Sequence, residues 1–471
     1  MFQFRKLLIL IWLFICILNL LAEEITFSDI PVLDQYIKKG LLDNLALQQK
    51  EFSYESSIKT LDEARGLFFP SVNIEARYSK SDGGRIIEFP VGDLMNPVYQ
   101  GINDLLISLG QPTRPYPTLQ NEQIPFLRET EHDTKLRIIQ PVFNTSIWFN
   151  YNIKSDMKDI SLLETSAYKR ELIFEIKKAY YNVLKIDHLV KLAWQTKVLI
   201  EENLRISHKL FDNQKVTKDV VYRVKSDLSG IEQYIAEIEN AQKMAAYYFN
   251  FLLNRPLDEY IEIVQDNNLN FPDEFEIEEQ KQIALKNREE IKKIEKAIEI
   301  TESGQKLAVS EFLPSVNLIG DIGYQGEDYY FDSEHDYKML SAVATWNLFR
   351  GFQDKAKYQQ AEINRKRIEK QLEEVKNQIQ LQVEDIILKI KAARLSITAA
   401  NEQEISARES FRLTEKKYEE GMAAQIEYLD ARKNWTEAQV NQISAGFTFL
   451  VKKAELEKIA ASLPLEPEQE N

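Results

Sequence analysis

The residues of this 471-residue chain that are best suited to chemistry are scattered. Four histidines, His132, His188, His208 and His335, lie far apart, without the i,i+4 or paired spacing by which zinc ligands are presented. The single cysteine, Cys16, sits inside an apolar N-terminal run. There is no Gly-rich loop to cradle a phosphate and no G-x-S-x-G turn to expose a nucleophilic serine. Paired Asp and Glu residues abound, but they lie in long charged stretches, and nothing marks the pocket that acid–base work needs. This pattern points away from an enzyme and predicts neither a cofactor nor a metal site. The formal charge of −15 likewise provides no electrostatic footprint for nucleic acid.

With no reacting group to position, the elements themselves carry the information. The chain has only 15 Gly and 14 Pro, where average usage predicts about 33 and 24. Turns are therefore few and the segments between them long. That excludes many-stranded sandwiches and doubly wound α/β enzymes, which need frequent turns. Disorder is excluded as well, because 44% of the residues are hydrophobic and can bury a large core.

At the N-terminus, Arg5 and Lys6 precede an apolar run from Leu7 to Leu21, followed by Ala22-Glu23-Glu24. This reads as a secretory signal peptide over residues 1–22, cleaved after Ala22. An uncleaved anchor helix is the alternative, since Leu20 is bulky for its place before the cleavage site. Lipidation at Cys16 is disfavoured because Ile15 is not small. Beyond Leu21 no apolar stretch of about 18 residues recurs, so any membrane insertion must be non-helical.

The chain contains an internal repeat. Leu67-Phe68-Phe69-Pro70-Ser71-Val72-Asn73 recurs as Glu311-Phe312-Leu313-Pro314-Ser315-Val316-Asn317, and Gln140-Pro141-Val142-Phe143 is answered by Trp346-Asn347-Leu348-Phe349. Lys209-Leu210-Phe211 has its counterpart in Lys416-Lys417-Tyr418. The offset is 244 at the first landmark and 206 at the second, so the first copy carries 38 extra residues. The corresponding segment, residues 80–133, holds six of the 14 Pro and five of the 15 Gly and is expected to form a long external loop. The implied organisation is a signal peptide (1–22), a first repeat (23–255), an equatorial segment with a second repeat (256–463), and a tail (464–471).

Each copy predicts a long helix. No Pro or Gly occurs from Val142 to Ser229 or from Phe352 to Glu420. In the second stretch Leu372, Val375, Ile379, Val383, Ile386, Ile390, Ala393, Ile397 and Ala400 form a heptad seam with one stutter. Leu172, Ile176, Tyr180, Val183, Val190, Trp194, Leu204 and Phe211 predict a looser seam in the first. About 65 helical residues reach on the order of 100 Å. Breaks at 212–217 and 420–425 turn each long helix into an antiparallel coiled hairpin.

Between helices lie strands. Val72, Ile74, Ala76 and Tyr78 alternate with polar residues, and so do Val316, Leu318, Ile322 and Tyr324. Return strands are expected at 134–142 and 337–346. Each is about nine or ten residues long, enough for a tilted strand to cross an outer membrane. Phe68, Phe69, Trp148, Phe149, Phe312, Trp346 and Phe349 border them as interfacial aromatics do. Four strands cannot close a barrel, and open edges do not survive in lipid, so more than one chain must contribute.

These features together resemble the TolC-like outer-membrane efflux proteins (outer membrane factors). The resemblance rests on Glu63-Ala64-Arg65-Gly66-Leu67-Phe68-Phe69-Pro70-Ser71-Val72, Gln140-Pro141-Val142-Phe143 and Leu252-Leu253-Asn254-Arg255-Pro256-Leu257. In the second half it rests on Phe312-Leu313-Pro314-Ser315-Val316, Trp346-Asn347-Leu348-Phe349-Arg350-Gly351 and Lys417-Tyr418-Glu419-Glu420-Gly421.

The resemblance implies a mainly α fold with a membrane β-barrel segment. It also implies a homotrimer whose protomers each give four strands to a 12-stranded barrel, continued by an α-helical barrel across the periplasm. It implies docking with a periplasmic membrane-fusion adaptor and an inner-membrane RND or ABC-type pump, contact with outer-membrane lipid, and export of drugs, metals or proteins. Gln214, Lys215 and Val216 of the first tip and Gly421, Met422 and Ala423 of the second would dock the adaptor. Glu427 and Asp430 match acidic positions that ring the periplasmic constriction in some relatives, where converging carboxylates attract cations and repel one another. Tyr418 and Asp219 match positions that hold neighbouring hairpins together. Ala423 replaces a basic residue of some relatives, and Gln214-Lys215 replaces a common glycine. A soluble periplasmic coiled-coil adaptor is the alternative reading. It accounts for the hairpins but not for the paired amphipathic strands.

Overall fold

The computed structural model describes residues 25–264, 275–420 and 422–465. The expected signal peptide, Cys16, Gly421 and most of the C-terminal tail lie outside the described residues.

Two short helices, α1 (Pro31–Asp43) and α2 (Leu45–Gly66), lead into strand β1 (Ser71–Lys80). Then come β2 (Ile86–Phe89), α3 (Val91–Ser108), β3 (Glu122–Pro125), β4 (Thr130–Phe143) and the helices α4 (Thr145–Asp212) and α5 (Lys218–Leu252). The second half runs α6 (Ile277–Asn287), α7 (Glu289–Ser310), β5 (Ser315–Gly326), β6 (Asp336–Thr345), α8 (Gln353–Glu419) and α9 (Gln425–Ala460). The order helix, strand, strand, long helix, shorter helix thus occurs twice. The long helices hold 68 and 67 residues. Residues 80–133, expected as a long external loop, hold α3 between two short strands. Local polar contacts described below order this segment despite its Pro and Gly content.

The chain divides into two units, each drawing on both halves of the sequence. One comprises Asp62–Tyr151 and Gly304–Gln359, and the other the remaining segments. In the first, a four-stranded antiparallel sheet has the order β1-β4-β5-β6, with β1 and β6 as edges. Its register places Ile74 opposite Leu136, Leu136 opposite Ile322, and Gly320 opposite Leu340. Most apolar residues of β1, β4 and β5 therefore share one face with Leu340, Ala342 and Ala344 of β6. Lys338 also lies on that face, opposite Ile322, while Ile139, Ile319, Met339 and Val343 lie on the other. On the first face Ile74 is 79% and Leu340 78% exposed, far more than a face packed on a core would show.

The opposite face carries the charged network. Arg137 donates to both carboxylate oxygens of Asp321 at 2.8 Å and pairs with Glu75 at 3.0 Å. Tyr337 donates its hydroxyl hydrogen to Asp133 at 2.8 Å, and Lys135 pairs with Asp133 at 2.6 Å. Near Pro141, which has no N–H for the ladder, the β4–β5 register shifts by a bulge. The aromatic borders are anchored: Trp346 donates its indole N–H to the Phe312 carbonyl at 3.0 Å, and Phe68 meets Trp148 edge-on at 5.9 Å.

In the helical unit, one core packs Leu33 and Ile37 of α1 against Ile176, Tyr180 and Leu184 of α4, Phe249 of α5 and Leu450 of α9. The α1 turn at Gly40 comes so close that a Cβ there would lie 2.4 Å from Ile176 Cδ1. A second core buries the predicted α8 seam, with Ile379, Val383, Ile386 and Ile390 set against Ile291 of α7 and Phe449 and Leu456 of α9. The seam of α4 holds down to Val183 and then drifts. Trp194 and Phe211 are exposed, and Ala193, Thr196, Ile200, Asn203 and Ser207 are buried in their place. A straight helix slips about 20° per heptad from a strict seven-residue repeat, so the buried stripe moves to neighbouring positions. Trp194 meets the surface instead, donating to Glu239 at 3.2 Å beneath Lys197. Among the described residues, no helix is long and apolar enough to cross a membrane.

Candidate functional site at the hairpin tips

Among the described residues, the site residues expected from the sequence lie at or beside the two turns α4–α5 and α8–α9, within the helical unit. The first turn closes without glycine. Gln214 takes a left-handed φ of 60°, and the Lys215 N–H donates to the Leu210 carbonyl at 2.9 Å, which ends α4 in a Schellman-type cap. A left-handed non-glycine residue costs about 1 kcal/mol, and this is the position where a glycine was expected. Gln214→Gly is thus expected to stabilise the tip by up to about 1 kcal/mol, seen as slower hydrogen exchange in residues 205–225. Asp219 stands in the first turn of α5, where the helix dipole favours a carboxylate. The Thr217 hydroxyl donates to Asp219 and holds its carboxyl below the usual range.

The second turn has a similar cap, the Met422 N–H donating to the Lys417 carbonyl at 2.7 Å. Helix α9 then starts with Glu427 in its first turn. Glu427 and Asp430 are exposed, three residues apart and therefore on one face, while Tyr428 and Leu429 between them are buried. The buried side is an aromatic cluster inside the hairpin. Tyr418 stacks on Tyr428 at 5.0 Å, Phe411 stacks on Trp435 at 5.2 Å, and Trp435 donates to Glu404 at 3.0 Å. The cluster fixes the rotation of α9, and with it the direction in which the two carboxylates point.

Burial pushes the Tyr428 phenol up to about 12, with the nearby Glu415 carboxylate adding to the shift. The native tip therefore holds a proton that the unfolded chain releases near pH 10. Its contribution to stability is complete below pH 10 and is lost as pH rises towards 12. Alkaline titration of tyrosinate absorbance should show a late-titrating group that is absent in Tyr428→Phe.

Tyr418 and Asp219 are not brought together within the chain. Tyr418 lies against Tyr428 with Ser207 of α4 beside its hydroxyl, and Asp219 lies against Thr217. The two hairpins are also joined by residues that the sequence reading missed. Arg432 of α9 donates through Nη2 to Asp227 of α5 at 3.0 Å, and Gln425 donates to the Val220 carbonyl at 3.3 Å. Arg432 is only 7% exposed, and its Nε and Nη1 have no partner among the described residues. The available signal was its place three residues after Leu429, in the buried register where the pattern asks for an apolar residue. Gln214, Lys215 and Met422 project into solvent at the turns, and Val216 and Ala423 are half-buried. The four histidines do not form one cluster, although His132 and His335 both border Gly326. His132 is buried in the sheet unit, its Nε2–H donating to the Asp328 carbonyl at 2.7 Å, and His335 bonds Asp332 at 2.6 Å. His188 and His208 lie on α4 of the helical unit.

The model of the outer membrane efflux protein family matches residues 281–462. No curated protein sequence matches the chain. Among solved structures, the open state of the Neisseria gonorrhoeae MtrE outer membrane channel is similar at a TM-score of 0.71 and 17% identity, covering 95% of each chain. VceC, an outer membrane protein of Vibrio cholerae, is similar at a TM-score of 0.72 and 14% identity, covering 91% of this chain and 95% of its own. The Campylobacter jejuni CmeC outer membrane channel gives 0.72 and 14%, covering 93% and 88%. The resemblance to TolC-like outer-membrane efflux proteins therefore holds at two levels, as the family's sequence pattern in the second half and as the channel fold over the length of the chain.

Proposed function

We propose that the chain is one protomer of a trimeric outer-membrane channel, the exit duct of a tripartite efflux pump or a type I secretion system. The observation that supports this reading is the β1-β4-β5-β6 sheet, with one largely apolar exposed face, an opposite face that carries the charged network, and two unpaired edges. Such a sheet suits lipid on one side and water on the other, and neighbouring chains would satisfy its edges. Three copies would supply twelve strands, and residues 23–255 and 256–463 are the two repeats that contribute two strands each. Residues 1–22 would direct export and be removed. The tips, with Gln214, Lys215, Val216, Gly421, Met422 and Ala423, would face the periplasm and meet an adaptor bound to an inner-membrane RND or ABC-type transporter. The energy would come from that transporter, and the channel itself performs no chemistry.

The direct test is fractionation. A heat-modifiable trimer is expected in outer-membrane fractions, and recovery only as soluble periplasmic protein would falsify the reading. Within it, Glu427 and Asp430 form the cation-attracting ring of the constriction, and Asp219 and Tyr418 help to hold neighbouring hairpins. Glu427→Ala with Asp430→Ala is expected to lower the cation-over-anion permeability ratio measured in planar bilayers. An unchanged ratio removes these two residues from the ring.

A further inference from the structure

The segment between β1 and β4 carries a helix with an uncovered seam. Its N-terminus is capped by Asn121, whose Oδ1 accepts from the Gly92 and Asp93 N–H groups at 3.1 Å. One side of α3 is tied to the returning strap. Asn96 donates to the Leu119 carbonyl at 2.8 Å and accepts from its N–H at 2.9 Å, and Asn103 makes the same two-way contact with Arg114 at 3.0 and 2.9 Å. Tyr99 stacks on Tyr116 at 4.5 Å. The helix is thus held firmly along one side.

The adjoining side is apolar and bare. Leu94, Val98, Leu105 and Leu109 are 62%, 50%, 60% and 65% exposed, with Ile102 among them at 38%. Their steps of 4, 4, 3 and 4 are those of a helix–helix seam, the same spacing that buries Ile379, Val383, Ile386 and Ile390 elsewhere in this chain. A helix lying in a lipid interface instead carries Lys or Arg on its polar side to meet anionic headgroups. Helix α3 has neither, and at 3.6 residues per turn its two charges, Asp93 and Asp104, fall on the side away from the seam.

We infer that α3 packs along this seam against α3 of a neighbouring copy of the chain, so that the insertions join the assembly beyond the strands. This rests on the multi-chain reading above. The insertion joins β1 to β4, and in a ring closed by β1 of one copy on β6 of the next the insertions of all copies rise from the same rim around one axis, which brings them within reach of one another.

The test uses full-length chain in native outer-membrane fractions, in a Cys16→Ser background so that each introduced thiol is the only one. Val98→Cys and Leu105→Cys lie on the seam, and Gln100→Cys lies on the opposite side. After treatment with a bifunctional maleimide, the two seam variants are expected to shift from the one-chain to the two-chain band, while Gln100→Cys stays at the one-chain band. Equal cross-linking of all three variants, or none at the seam of a protein that native mass shows to be oligomeric, overturns the α3 contact and leaves the channel reading standing. Seam thiols that are uncross-linked but shielded from a monofunctional maleimide only in lipopolysaccharide vesicles assign the seam to lipid and overturn it too. A native mass of one chain for the unsubstituted protein overturns both readings.

Discussion

Gly323→Val is expected to prevent the four-stranded sheet from forming and to remove the protein from outer-membrane fractions, while Gly320→Val in the same strand leaves both intact. The two glycines differ in what a side chain would meet. A Cβ at Gly323 would lie 2.5 Å from the Thr134 carbonyl oxygen and 2.8 Å from Lys135 Cα, both backbone atoms of β4. Backbone in a paired ladder cannot step aside as a side chain can, so β4 and β5 must separate where Gly323 opposes Lys135. Nearby, Asp321 is 1% exposed and depends on the same strand pairing for its contact with Arg137. Separating the strands would leave that carboxylate unpaired and buried, a cost that adds to the overpacking of about 1–3 kcal/mol. A Cβ at Gly320 would meet nothing within 4 Å. Its neighbours across the register, Ile138 and Leu340, place it on the apolar face, where a valine adds surface of the right kind. The measurement is the amount of heat-modifiable species in membrane fractions for each variant.

Arg432→Ala is expected to loosen the join between the hairpins and raise basal conductance through the periplasmic end. The guanidinium is buried and has one carboxylate partner, Asp227, which keeps part of its surface in water. A hydrogen bond to a charged group of this kind contributes about 1.5–3 kcal/mol. By the relation of about 1.4 kcal/mol per decade, its loss moves a closed-to-open equilibrium by about 10- to 100-fold. Asp227→Asn keeps a carbonyl oxygen for Nη2 to donate to and should produce a smaller change. The buried Nε and Nη1 offer a second check. Arg432→Met removes the unpartnered donors while filling the space, and it should melt at or above the parent temperature even as conductance rises. Equal stability losses in Arg432→Ala and Arg432→Met, with conductance unchanged in both, would mean that the pair has no part in holding the tips.

Much of this molecule was legible before any coordinates. The absence of Pro and Gly over Val142–Ser229 and Phe352–Glu420 marked the two long helices, because those residues are the strongest helix breakers, although the turn at Gln214 closes without either. Period-2 alternation located β1 and β5, since successive side chains on a strand must face opposite ways, and the return strands β4 and β6 followed as their partners, β6 with little alternation of its own. Other features were not legible. The lower seam of α4 was misassigned to Trp194 and Phe211 because the slip of the helix against a seven-residue repeat accumulates only over its full length. Residues 80–133 looked like loop because composition records breakers, while the Asn96, Asn103 and Asn121 side chains that tie α3 down act through backbone groups that no pattern marks.

The sequence by itself determined the two long helices, the four strands of the sheet and the two hairpin turns, because these follow from local sterics and periodicity. Only the tertiary structure decided which strands are neighbours, that Asp321 meets Arg137 across 184 residues of chain, and that Arg432 of α9 meets Asp227 of α5 between the hairpins. Those contacts depend on distances between residues far apart in the chain, and they are set by how whole helices and strands pack rather than by any local preference.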